Sequence, residues 1–268
     1  MIAKKRIKYK KTSMKNYFLL GASKGIGFGI AKELVNKNNK VFIGSRSTEN
    51  LEKAERELNQ IQNNSTFYKS VDITNYPSVE EWFNKGISIL KHIDGLLINY
   101  GGPPSGKFLD FHDKDWQEAF EFMLMNPIRL LKLVYPYIKD KTCSILFVTS
   151  FAVKEPVENL ILSNVFRSAI TSLAKTLSRE WGPNIRLNCL LPGRIDTDRI
   201  KQLDQTIANR EGKTQEEVRN FFENQIPLKR YGTVEEIGKV GAFLLSDESS
   251  YITGTNIAVD GGLIRSLL

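Results

Sequence analysis

The seven residues Gly21-Ala22-Ser23-Lys24-Gly25-Ile26-Gly27 constrain this chain more than any others. They follow the apolar tetrad Tyr17-Phe18-Leu19-Leu20, which reads as a strand, and they open an amphipathic stretch from Gly25 to Asn36, which reads as a helix. Glycine lets the backbone turn tightly and lets a ligand approach the main chain. The start of a helix adds unpaired N–H groups and the positive end of its dipole. Such a turn suits a pyrophosphate when it joins strand to helix and a second strand ends about 20 residues on. Residues 40–44 supply that strand. The competing reading is a tight strand-to-helix turn with no ligand.

The alternation continues along the chain. Strands are expected at residues 66–70, 95–99, 144–149, 185–191 and 256–259. Helices are expected at 47–62, with Leu51, Ala54, Leu58 and Ile61 on one face, and at 78–90, with Val79, Trp82, Phe83 and Ile87 inward. A long helix is expected at 115–137, kinked by Pro127, and another at 159–181, ended by Gly182-Pro183. Residues 198–225 are polar and read as helical, and Thr233-Val234-Glu235-Glu236 is a capping box opening a helix to Leu245. Strands alternating with helices define an α/β class: a doubly wound parallel sheet with helices on both faces. Ligands of such sheets lie at the carboxyl ends of the strands, where the strand order reverses.

The net charge of +8 invites a nucleic-acid partner, but its distribution argues against one. Residues 1–15 hold Lys4, Lys5, Arg6, Lys8, Lys10, Lys11 and Lys15 and no acid; removing these seven from +8 leaves +1 for the body. The basicity belongs to a tail whose composition predicts disorder, with a targeting or RNA-touching arm as the other reading. Met14, directly before the first strand, is an alternative start. Residues 16–268 read as one domain. No apolar run approaches the roughly 18 residues that span a bilayer, so no membrane partner is expected. Cys143 and Cys189 sit in apolar strands and read as buried reduced thiols, in keeping with a cytoplasmic protein. No Cys/His cluster points to a metal site.

The end of the second strand discriminates between dinucleotides. An acid there binds the ribose 2′-hydroxyl of NAD, whereas a cation suits the 2′-phosphate of NADP. This chain has Ser45-Arg46-Ser47, and Lys24 inside the glycine turn can reach the same phosphate. NADP(H) is therefore the expected cofactor, against the alternative that Arg46 is a solvated surface cation.

The spacing Gly-x-x-x-Gly-x-Gly resembles the short-chain dehydrogenase/reductase family, and other segments agree over about residues 15–265. Val71-Asp72-Ile73-Thr74 is similar to its adenine-contacting element. Asn99-Tyr100-Gly101-Gly102 is similar to its Asn-Asn-Ala-Gly element. Pro192-Gly193-Arg194-Ile195-Asp196-Thr197 is similar to its Pro-Gly turn, whose threonine meets the cofactor carboxamide. Residues 251–262 are similar to its last strand. The resemblance implies a seven-stranded sheet, assembly as a homodimer or homotetramer, and a small-molecule substrate. It assigns cofactor contacts to Gly21, Ser23, Lys24, Gly25, Ile26 and Gly27 of the turn, and to Arg46. Asp72, Ile73, Asn99 and Gly101 follow from the next two elements, and Arg167, Pro192, Gly193, Ile195 and Thr197 from the later ones.

The catalytic positions depart from that pattern. The family uses a serine after the fifth strand and then Tyr-x-x-x-Lys on the next helix. Ser150 fits the serine, but Ser163 stands where the tyrosine is expected and Arg167 where the lysine is expected. The expected asparagine falls at Met123, with Asn126 one turn later. The Ser-Asn-x-x-Arg element, with Gly101-Gly102-Pro103-Pro104, resembles a divergent, reductase-like branch. Hydride delivery to a carbonyl leaves an alkoxide that needs a proton, which tyrosine gives at neutral pH when a neighbouring cation lowers its pKa. Serine is a far weaker acid, and arginine stays protonated. Ser150, Ser163 and Arg167 are the candidate catalytic residues, with Arg167 stabilising charge. Tyr100, Lys154 and water are candidate proton sources; Tyr100 otherwise packs on the cofactor and Lys154 is otherwise a loop charge.

Two functions follow. The first is an NADP(H)-dependent oxidoreductase, 3-oxoacyl-type reductase-like, interconverting a carbonyl and an alcohol. The second is a catalytically inactive NADP(H)-binding sensor or partner subunit. Residues 193–227 are expected to form the substrate lid, where Arg194, Arg199, Lys201 and Arg210 hint at an anionic substrate or are simply solvated. Phe108, Phe111 and Trp116 either wall the pocket or seat a helix.

Overall fold

The computed structural model describes residues 13–267. Of the basic tail expected to be disordered over residues 1–15, residues 1–12 lie outside the described residues, whereas Lys15 is held against the domain, its N–H donating to Asn39 Oδ1 at 3.1 Å and its Nζ paired with Asp247. Seven parallel strands form one sheet: β1 Asn16–Leu20, β2 Lys40–Ser45, β3 Thr66–Ser70, β4 Gly95–Ile98, β5 Cys143–Val148, β6 Ile185–Pro192 and β7 Asn256–Val259. Their order is β3-β2-β1-β4-β5-β6-β7, so the direction of winding reverses between β1 and β4. Leu19 is paired with Ile43 on one side and Leu97 on the other.

The helices are α1 Gly25–Asn36, α2 Thr48–Ile61, α3 Tyr76–Leu90, α4 Asp113–Phe120, α5 Asn126–Ile138, α6 Ile161–Glu180, α7 Asp198–Glu211, α8 Gln215–Gln225 and α9 Val234–Leu245. Alternation along the buried strands divides the interior into two layers. Phe18, Leu20, Phe42, Leu96 and Phe147 face α3, α5 and α6. Tyr17, Leu19, Ile43, Leu97 and Leu146 face α1, α2 and α9. In the first layer Phe18 lies 5.6–5.9 Å from the rings of Phe42, Trp82 and Phe83.

In the second layer α1 and α9 meet backbone to backbone. A Cβ on Gly29 would lie 2.6 Å from the Val234 carbonyl oxygen, and one on Gly238 would lie 2.7 Å from the Gly29 oxygen. These glycines let the two helices approach closely. The expected capping box at Thr233 is present, its side chain accepting from Glu236 N–H at 3.2 Å.

Two elements differ from expectation. The long helix is interrupted by a π-helical turn, Glu121–Met125, between α4 and α5. Pro127 lies just beyond it, in the first turn of α5. Having no N–H, Pro127 cannot pair with the Met123 carbonyl four residues back. The Tyr100 hydroxyl donates to that carbonyl instead, at 2.8 Å. Residues 198–225 are two helices, because Gly212 turns left-handed (φ +63°) and Thr214 caps α8 in a box with Glu217.

Candidate active site

The carboxyl ends of β1, β2, β4, β5 and β6 converge beside the reversal of strand order. At β1 the chain leaves through Gly21, whose φ is +67° and whose N–H donates to the Gly44 oxygen at 2.7 Å. A Cβ at Gly21 would fall 1.9 Å from the Asn99 oxygen, and one at Gly27 would fall 2.2 Å from the Gly21 oxygen. Asn99 ties the two strand ends together, its Nδ2 donating to the Gly21 oxygen at 2.8 Å. Ser23 and Ile26 are partly exposed on the turn. No side chain caps the N-terminus of α1 and its first turn holds no acid, whereas α2, α3, α7, α8 and α9 each have a side-chain cap. The turn is thus a backbone cradle whose free N–H groups fit a pyrophosphate. A Cβ on Gly101 would meet nothing within 4 Å, so the neighbouring strand end also faces open space.

Arg46 is exposed at the end of β2 and has no hydrogen-bond partner among the described residues. Lys24 stands at the lip of the turn, 3.8 Å from Asp198, both side chains exposed; such a contact is weak. Asp72 is held as an acceptor by Thr74, from N–H at 3.0 Å and Oγ1 at 2.8 Å. These bonds, and the charge of Arg46, hold its carboxyl below the usual carboxylate range. Ile73 packs against the first core layer with part of its surface free.

After β6, Gly193 passes so close to Asp260 that a Cβ would lie 2.6 Å from that residue's Cα. Pro192 is buried in the strand end. Ile195 is also buried, so only its backbone can face a ligand. Thr197 caps α7, and its methyl lies 3.5 Å from the Cβ position of Gly25, which sets the start of α7 over the glycine turn.

The chemical half of the site is organised by Arg167. Its Nε donates to Ser163 Oγ at 3.1 Å, and its Nη1 donates to the carbonyls of Val148 at 3.2 Å and Thr149 at 2.8 Å. The side chain on α6 therefore grips the end of β5. Burial lowers its pKa, against a smaller opposing effect of Tyr100. Ser163 is buried and accepts from Arg167, which leaves the Ser163 hydroxyl hydrogen free to donate. Ser150 likewise accepts from Ala152 N–H at 3.1 Å. Of the three candidate proton sources, Tyr100 bonds to Met123 instead. Its hydroxyl is engaged, its ring lies 5.4 Å from Phe122, and burial pushes its pKa up. Asn126 is buried and accepts from Arg129 at 3.1 Å. Lys154 is half-buried and forms no side-chain bond among the described residues.

The aromatic trio divides. Trp116 lies 6.1 Å from Phe166 and seats α4 on α6, Phe111 packs under Gly106, and Phe108 stays exposed. A cavity of about 570 Å³ opens between Gly102, Pro103, Thr74 and Phe122. Arg194 is engaged by other side chains of the protein. Its Nη1 contacts Asp204 at 2.5 Å and Tyr231 Oη at 3.1 Å, and its guanidinium lies 3.1 Å from the Phe222 ring centre. Sequence alone misses this cluster because its members come from four separate segments. It also misses Glu155, which accepts from the backbone N–H groups of Arg265 and Ser266 and so docks the C-terminal segment on the loop after Ser150.

Comparisons with known proteins agree with this geometry. Residues 21–264 match the family model described as Enoyl-(Acyl carrier protein) reductase. The chain is 29% identical over 258 residues to the NADPH-dependent reductase BacG of Bacillus subtilis (strain 168), a match covering 95% of this chain and 100% of that one. It is similar to the crystal structure of YwfH, an NADPH-dependent reductase involved in bacilysin biosynthesis, with a TM-score of 0.90, 28% identity and 95% and 100% of the two chains covered. It is also similar to an NADPH-bound short chain oxidoreductase from Pseudomonas aeruginosa PAO1 that contains an atypical catalytic center, with a TM-score of 0.84, 25% identity and 94% and 97% covered. With its sheet order, its glycine turn and a family match spanning nearly the whole sheet, this chain belongs to the short-chain dehydrogenase/reductase family.

Proposed function

We propose that this protein is an NADP(H)-dependent oxidoreductase that interconverts a carbonyl and an alcohol through Ser150, Ser163 and Arg167. The observation that carries the reading is the bonding of Arg167. It is a cation held rigidly between α6 and the end of β5, and it presents one of the two serine hydroxyls as a donor. Residues 21–27 hold the pyrophosphate, Asp72 and Ile73 flank the adenine, and Asn99, Gly101, Gly193, Ile195 and Thr197 frame the nicotinamide. Arg46 takes the 2′-phosphate, with Lys24 as a secondary partner.

The bound cofactor supplies a hydride at the nicotinamide ring. The chain's residues do the remainder. Ser150 and Ser163 donate hydrogen bonds to the substrate oxygen, and the Arg167 charge favours the negative oxygen that develops there. Arg167 does not titrate, so the proton comes from water through the serine hydroxyls. Residues 193–227 close over the substrate. The single domain over residues 16–268 works as a homodimer or homotetramer in the cytoplasm, which light scattering and cell fractionation test.

The decisive experiment is titration with NADPH and NADH, followed by a carbonyl panel with the tighter nucleotide. Tight NADPH binding with steady oxidation supports the reading; binding without turnover on any carbonyl overturns its chemical half. That outcome favours a second reading, a non-catalytic NADP(H) sensor or partner subunit. One observation speaks for it: the hydroxyl of Tyr100, the tyrosine that follows Asn99 at the end of β4, is tied to Met123. Ser163→Tyr with Arg167→Lys then creates activity that the parent lacks.

A further inference from the structure

We propose that Tyr100 is a positioning residue that fixes the place of Ser163 and Arg167 by tying the end of β4 to the break between α4 and α5. The inference rests on the reductase reading above and adds to it a residue that acts through its neighbours rather than on the substrate.

The residues that follow β4, Asn99 to Gly102, meet three parts of the site. Asn99 Nδ2 donates to the Gly21 oxygen at 2.8 Å, in the cradle. The Tyr100 hydroxyl donates to the Met123 oxygen at 2.8 Å, in the π-helical turn. Gly102 faces Arg167, since a Cβ there would lie 3.7 Å from the arginine's Nη2. A shift of this loop is therefore felt in both halves of the site. Of the three links, the Tyr100 bond is the one that reaches the helices before β5.

That bond exists because the helix is broken. Pro127 denies the Met123 carbonyl the amide four residues on, and the Asn126 N–H reaches back to the Glu121 oxygen. Met123 is fully buried and packs with Ala119, Leu162 and Phe166 in one apolar cluster. Leu162 and Phe166 directly precede Ser163 and Arg167. The Tyr100 ring packs against this cluster and against the first core layer. Trp116 and Phe120 extend the contact, their rings 6.1 and 6.4 Å from that of Phe166. A hydroxyl anchored on β4 thus holds the π-helical turn, and the turn packs on the residues that carry Ser163 and Arg167 into place. Reacting groups displaced by about 1 Å can lose about 100-fold in rate, so a bond remote from the substrate oxygen is enough to govern turnover.

The test compares the parent with Tyr100→Phe, Pro127→Ala, their double variant and Ser144→Ala, whose hydroxyl bond to the Leu244 oxygen at 2.9 Å lies at the amino end of β5, away from the site. NADPH binding is read by its fluorescence, turnover by its oxidation with methyl acetoacetate, and local opening by amide hydrogen exchange. Tyr100→Phe should lower kcat about tenfold, with KM and NADPH affinity within about threefold and the pH–rate profile unchanged in shape. It should raise exchange about tenfold in residues 161–167 and not in residues 172–180. Ser144→Ala, which also loses one buried bond, should keep kcat within about twofold. In the Pro127→Ala background the Met123 carbonyl gains a donor from its own helix while β4 stays untied. Tyr100→Phe should therefore cost less stability there and as much kcat as in the parent. An unchanged kcat in Tyr100→Phe, or an equal fall in Ser144→Ala, overturns the inference. So does a shifted alkaline limb, which would make the phenol a proton donor, and so does recovery of kcat together with stability in the Pro127→Ala background. If the parent fails to bind or oxidise NADPH, the reductase reading falls and exchange decides the inference: a rise confined to residues 161–167 supports it, and no rise or a uniform one overturns it.

Discussion

The two halves of the site are built from different material. Around Gly21 and Gly27 the backbone itself is the binding surface, and the room for a side chain is nil: an added Cβ would sit 1.9 and 2.2 Å from carbonyl oxygens. Around Ser163 and Arg167 the surface is made of side chains, and these differ from the family's tyrosine and lysine. At these two positions the cradle admits glycine and nothing else. A side-chain site can be rebuilt provided its buried polar atoms find partners, as Arg167 does on Ser163, Val148 and Thr149.

The sharpest way to break this contrast is Gly21→Ala. Left-handed backbone costs about 1–2 kcal/mol for a residue with a Cβ, and the overlap with Asn99 costs about 1–3 kcal/mol more. NADPH binding should fall at least about 100-fold with a clear drop in melting temperature; affinity within a few-fold of the parent would show that the cradle is not rigid. Next comes Arg167→Met, which should lower kcat about 10²–10³-fold while NADPH affinity changes far less. Loss of binding in proportion to kcat would make Arg167 part of the cradle and erase the distinction.

Arg46→Gln should weaken NADPH about tenfold and leave NADH unchanged, with Lys24→Gln weaker because Asp198 already shares that charge. Tyr100→Phe should cost about 0.5–1.5 kcal/mol in a denaturant titration. The alkaline limb of its pH–rate profile should not move, because burial already raises the Tyr100 pKa. The smallest effect is expected at Glu236, outside both halves. Hydrogen bonds from Arg230 and from Thr233 lower its pKa from 4.5 to about 2. Its contribution is therefore present above pH 4.5 and lost as pH falls toward 2. Glu236→Gln should flatten the acid limb of a stability–pH curve over that interval, and a parent-like limb would place the acid sensitivity elsewhere.

Much of the sheet was legible in sequence because β1, β4, β5 and β6 are buried throughout and each is followed by a turn signal. The glycine turn was legible for the same reason it binds: its residues answer to local backbone geometry. The π-helical turn was not, since Pro127 marks a missing donor but nothing nearby says that Tyr100 fills in. The fate of Arg194 was equally hidden. Its partners Asp204, Phe222 and Tyr231 are distant in the chain, and a cation in a polar stretch looks the same whether it is buried or free.

The close meeting of α1 and α9 has a consequence for the order of assembly. The cradle is encoded by residues 21–27, yet the helix it opens is braced at Gly29 by Val234 and Gly238, more than 200 residues later. During synthesis the chain emerges from its N-terminus and forms local contacts first. The cofactor cradle is therefore among the earliest segments made and among the last to become rigid, so a nascent chain gains its dinucleotide site only when nearly all of it has been translated.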